Sequence, residues 1–148
     1  MIVVDSSAVI HTINAHKQLP RGNLYVPDDL QDEYEVMAFR HGKHKLPKVS
    51  PASECPGYDE VYFVQRYTYY LNRYGKVYLA RMSGLADVSI LALVDCLVNN
   101  FGTAQQLTLD LGGSNTEVVT VITDDDDLKK ALETEFGDKV SVLTSDDI

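Results

Sequence analysis

The run EVVTVITDDDD, residues 117–127, constrains this chain more than any other stretch, because an apolar, β-branched segment short enough for one buried strand ends directly on four aspartates. A single aspartate there would be explained as the cap of a helix predicted over DDLKKALETEF, residues 126–136, where a carboxylate meets unpaired N–H groups and the positive end of the helix dipole. Four crowded carboxylates repel one another. Hard divalent cations, which prefer oxygen ligands, are one way to offset such repulsion. That reading requires further acids from distant segments at the same edge.

The rest of the chain alternates strand and helix patterns. IVV, residues 2–4, reads as a buried strand and SSAVIHTINA as a short helix with Ser6 or Ser7 near its cap; NLYV, residues 23–26, is a second strand. Pro27 then opens a helix through DDLQDEYEVMAFRH that Gly42 stops. GKHKLPKVSPASECPG, residues 42–57, carries three prolines and reads as an irregular loop. Helices are predicted over residues 58 to about 74, and over SGLADVSILALVDCLVNNFG with Ser83 as cap and Gly102 as stop; KVSVLT supplies a closing strand. Strands separated by helices imply parallel crossovers, so the expected fold is a single α/β domain over residues 1–148, a three-layer α/β/α sandwich around a central, mainly parallel sheet.

Length and charge narrow the class. With 148 residues and 45% hydrophobic content the chain can bury a full core, and its two cysteines supply neither a disulfide framework nor a zinc ribbon. No apolar run is long enough to span a bilayer and MIVVDSSAVI lacks a basic leader, so a cytoplasmic protein away from membranes is expected. The net charge of −9 is uneven: residues 40–81 carry eight basic side chains against three acids, a surplus of +5 that leaves −14 elsewhere. Tyrosines crowd the same region, in YDEVYFVQRYTYYLNRYGKVYLAR, residues 58–81. Their rings suit either base stacking or packing into the core or a dimer seam.

In open parallel sheets ligands bind at the carboxyl ends of strands. Asp5 follows the first strand, and Asp124 and Asp125 follow the strand ending in Ile122. Asp87 stands in the first turn of an otherwise apolar helix and Glu33 in the helix opened by Pro27. Each alone is ordinary: Asp87 satisfies a helix dipole, and Glu33 belongs to a solvated face.

Together, MIVVDSSAVI, VPDDLQDE, MSGLADVSILALV and VITDDDDL resemble in order the motifs of PIN-domain ribonucleases, a likeness covering nearly the whole chain. The spacing is similar both to the branch holding a ribosome-maturation endonuclease and, in length, to the VapC toxins; no zinc ribbon follows, and residues 58–81 are not accounted for by the motifs. The resemblance implies a metal-dependent endoribonuclease acting on single-stranded RNA, with catalytic acids Asp5, Glu33, Asp87 and Asp125. It implies Mg2+ or Mn2+ held by Asp5, Asp87, Asp124 and Asp125, with Ser7 and Thr123 steadying the ligands. Arg40, Lys43, Lys45 and Lys48 would guide the RNA backbone, and His11, His16, His41 and His44 have no evident base partner. An antitoxin or a ribosomal protein is the implied partner, with the Tyr-rich helix as the surface of a homodimer.

Other classes fit less well. LDLGGSNT, residues 109–116, resembles the phosphate-binding turn of sugar kinases, but those enzymes have two large lobes and carry it early. A haloacid-dehalogenase phosphatase needs D-x-D where Ser7 stands, and an integrin-like metal site is broken by Val9. A receiver domain wants paired acids after its first strand and a lysine after its last, and VVDSS and VLTSDD supply neither. A non-catalytic metal- or protein-binding module on the same fold is the remaining alternative.

Overall fold

The computed structural model describes residues 1–41, 46–80, 85–110 and 118–148, and side-chain surroundings for these except residues 41, 77–80 and 100–110. Among these residues five strands form one sheet: β1 (Ile2–Val4), β2 (Leu24–Val26), β3 (Ser50–Pro51), β4 (Val119–Ile122) and β5 (Val140–Leu143), in the order β3-β2-β1-β4-β5. Every pairing is parallel. Among the described residues five α-helices flank it: α1 (Ser6–Asn14), α2 (Asp28–His41), α3 (Glu60–Ala80), α4 (Ala86–Asp110) and α5 (Asp126–Phe136).

Strand alternation separates two cores. Ile2, Val4, Leu24, Val26 and Ile122 face one side of the sheet and meet Ala8 and Val9 of α1 and Tyr34 of α2. Val3, Tyr25 and Val121 face the other, against α4, α5 and Tyr70 of α3. The expected α/β architecture with both sheet faces covered is what forms. Between Asp87 and Leu97 every residue of α4 is buried, as expected of a helix apolar on nearly all sides and lodged between the sheet and α3. Each fully buried Leu or Val there contributes roughly 1.5–3 kcal/mol of transfer free energy.

Three elements differ from expectation. β3 lies inside the segment read as an irregular loop; two residues ending in proline give no strand pattern, and proline is tolerated because β3 is an edge strand. α3 continues through Gly75 to Ala80, since packing on α4 outweighs the roughly 1 kcal/mol that glycine costs a helix. α4 likewise runs past Gly102 to Asp110. The expected stop at Gly42, the cap at Ser83 and the two glycines of LDLGGSNT lie outside the described residues.

Candidate functional site

β1 and β4 are neighbours in the sheet, yet the chain leaves them toward opposite edges: from β1 it goes by way of α1 to β2, and from β4 by way of α5 to β5. This is the topological switch point of a doubly wound sheet, where a crevice opens at the carboxyl ends of the strands. Asp5 stands at the end of β1 and Thr123, Asp124 and Asp125 at the end of β4. The Asp5 backbone N–H donates to the Ile122 carbonyl at 2.9 Å, fixing the two ends together.

Thr123 organises the crevice. It is fully buried, and its hydroxyl donates to Asp5 Oδ2 at 3.0 Å while accepting from the Asp125 backbone N–H at 3.1 Å. Asp125 caps α5, its Oδ1 accepting from the N–H groups of Asp127 at 2.9 Å and Leu128 at 3.1 Å. Burial raises the Asp5 pKa; the Thr123 hydroxyl and the Ser7 N–H oppose this, and the nearby charges of Asp125 and Asp124 add to it. Ser7 therefore steadies Asp5 through its backbone, and its own side chain is exposed.

Asp124 is held differently from its neighbour. It accepts from the Ser145 N–H at 2.7 Å and hydroxyl at 2.8 Å, and its Oδ2 lies 2.7 Å from His11 Nδ1. Burial works to raise its pKa, but these hydrogen bonds and the His11 charge outweigh burial and hold it below the ordinary carboxylate value. His11 thus has a carboxylate partner that lies 113 residues away in sequence, which local spacing could not reveal.

The other expected acids are distributed unequally. Asp87 is buried, at 5% exposure, in the first turn of α4. That turn is fastened to α2 by the Ser89 hydroxyl, which donates to Asp29 Oδ2 at 2.6 Å. Because Asp29 lies in the first turn after β2, the bond brings the start of α4 to the carboxyl edge of the sheet. Glu33 is exposed one turn further along α2, as its solvated-face reading has it, and the α2 acid tied to α4 is Asp29, which the sequence did not single out. Among the described residues no group of three or more His, Cys, Asp or Glu side chains stands close enough to hold a metal ion. The residues brought together most clearly are Asp5, Thr123 and Asp125.

Part of the basic, Tyr-rich segment is engaged within the chain. Asp95, 2% exposed within α4, accepts from Tyr62 Oη at 2.8 Å and Arg66 Nε at 2.7 Å, and also from the Tyr70 hydroxyl and the Asn99 side-chain amide. The Arg66 guanidinium lies over the Tyr69 ring at 4.2 Å, and Arg73 pairs with Glu135 at 2.7 Å. Burial, then the bond to Asp95, pushes the Tyr62 pKa up to about 12. Two of the eight cations counted in residues 40–81 are thus paired with carboxylates of the chain, and Tyr70 is buried in the core with Tyr58, Tyr67 and Tyr74 partly buried against it. Arg40 and Lys48 are exposed, whereas Lys43 and Lys45 lie outside the described residues.

No helix among the described residues is long and apolar enough to cross a membrane. No protein-family model, curated protein or solved structure matches this chain.

Proposed function

We propose that the chain is a PIN-like, divalent-metal-dependent endoribonuclease acting on single-stranded RNA, with its centre at the β1/β4 crevice. The supporting observation is the Asp5–Thr123–Asp125 cluster at the topological switch point, where burial, with the nearby charges of Asp125 and Asp124, raises the pKa of Asp5. Mg2+ commonly keeps several waters and is bound by only one or two carboxylates together with substrate phosphate, so this pair of acids fits the ion. Bound there, the ion supplies an activated water and offsets charge on the phosphate. Asp5 and Asp125 hold it, with Asp87 contributing from the first turn of α4. Thr123 orients the Asp5 carboxylate, and Asp124, drawn toward His11 and Ser145, shapes the rim of the crevice. Arg40 and Lys48, with Lys43 and Lys45, meet the RNA backbone.

The strand order 3-2-1-4-5 favours this over a receiver, whose order is 2-1-3-4-5. A non-catalytic module is the second reading, favoured by the lack of a three-acid cluster among the described residues. Cleavage of a panel of single-stranded RNAs by wild type and Asp5→Asn, with Mn2+ and with chelator, separates them. The nuclease reading expects cleavage by wild type with Mn2+ alone. Cleavage that persists in chelator or survives the substitution rejects the mechanism, and inertness on every RNA favours the module.

A further inference from the structure

The start of α2 and one side of α3 enclose a cleft of about 380 Å3. Its walls are the rings of Tyr58, Phe63 and Tyr67, with centroids 5.8 and 6.3 Å apart in succession, and its rim carries Asp28, Asp29 and Glu60. Two of these carboxylates are fixed in place: Asp28 Oδ1 accepts from the Ser53 N–H at 2.9 Å, and Asp29 Oδ2 from Ser89. A second cleft lies along α2, lined by Asp32, Glu35, Val36 and Phe39. Positions 28, 32, 35, 36 and 39 share one helical stripe, so the two clefts follow a common line.

Along that line large apolar side chains are left to solvent. Phe39 is 72% exposed and Val36 51%; beside the first cleft, Val61 is 68% exposed and Val64 54%. Single exposed apolar residues are unremarkable, but a row of them between carboxylates marks an interaction surface. The charge selects the occupant. Ionised carboxylates only accept hydrogen bonds, and aromatic faces attract cations, so a planar guanidinium stacked on a ring and bonded to a carboxylate satisfies both. An RNA strand would bring phosphates to the same acids and be repelled.

We propose that this acid-rimmed aromatic groove docks a basic, apolar-containing segment of a partner protein, with an arginine side chain entering the cleft between α2 and α3. The cleft is lined by residues other than Asp5, Thr123 and Asp125, and its binding does not depend on any cleavage activity.

The test uses the full chain and a short helical peptide repeating arginine and leucine, alongside the same peptide with arginine replaced by neutral, isosteric citrulline. Fluorescence anisotropy gives the affinities, and backbone NMR shifts locate the peptide. The expected result is binding that moves resonances of residues 28–39 and 58–67 and weakens at least about tenfold, or about 1.4 kcal/mol, with citrulline. The exposed, isosteric substitutions Asp28→Asn and Glu60→Gln should each weaken it in the same way without altering the fold. Equal binding of the citrulline peptide, indifference to both substitutions, or shifts confined to residues 5 and 123–125 would overturn the proposal. So would a single-stranded RNA that displaces the peptide from the groove.

Discussion

Thr123 and Asp5 follow the ends of neighbouring strands, 118 residues apart in the chain, and the hydroxyl of one donates to the carboxylate of the other at 3.0 Å. The same oxygen accepts the Asp125 N–H, so one buried side chain sets the positions of two acids. Thr123→Val keeps the shape but removes the hydroxyl, leaving a backbone N–H in a part-buried site without this acceptor. The expected cost is about 1–3 kcal/mol in chemical denaturation. RNA cleavage should fall with it, because Asp5 loses its orienting donor; a variant as stable as wild type would contradict the bridging role.

Asp5 predicts an unusual pH dependence. Its folded-state pKa is raised, first by burial, so the carboxyl group favours folding while protonated; that contribution is present below the ordinary value of 3.8 and is lost as pH rises through the raised folded value. In chelator at neutral pH, Asp5→Asn should therefore melt above wild type. The gap should close as pH is lowered through the Asp5 pKa. A substitution that destabilises the metal-free protein at neutral pH would show that the charge at position 5 is already compensated.

Asp124 behaves in the opposite sense. Its pKa lies below the ordinary value, so its contribution is present above 3.8 and is lost as pH falls through the lower folded value. His11→Ala removes one of the groups holding it there, and the Asp124 carboxyl signal followed by NMR should titrate at higher pH. Because the His11 side chain is 59% exposed, the loss of stability should be under about 1 kcal/mol.

The junction of α3 and α4 depends on Asp95. Removing its carboxylate by Asp95→Ala strands the part-buried Arg66 and the Tyr70 hydroxyl, with an expected cost of about 3–5 kcal/mol. Tyr70→Phe, which leaves Tyr62, Arg66 and Asn99 on the carboxylate, should cost about 1.5–3 kcal/mol. Equal losses from the two substitutions in denaturant titrations would contradict this division of the network.

Much of this architecture was legible in the sequence because it depends on local pattern. IVV and EVVTVI are short β-branched runs, Pro27 opens α2, and DDLKKALETEF has the spacing of an amphipathic helix, so each element follows from its own residues. β3 was not legible, since a two-residue edge strand exists only through its pairing with Tyr25 and Val26. The site divides in the same way. Asp5 and Asp125 follow from strand ends meeting at a parallel edge, whereas the His11–Asp124 and Ser89–Asp29 contacts join segments that no spacing rule relates. The count of basic residues is blind to pairing for a similar reason: it cannot tell that Arg66 and Arg73 are each bonded to a carboxylate of the same chain.

The most direct test of the metal site is to titrate Mn2+ into the metal-free protein and follow paramagnetic broadening of its backbone NMR signals. The account predicts that residues 5, 87 and 123–125 broaden first, and that Asp5→Asn abolishes this at the same Mn2+ concentration. Broadening that begins instead at Asp146 and Asp147, or that is unchanged by the substitution, would contradict a divalent-cation site between β1 and β4.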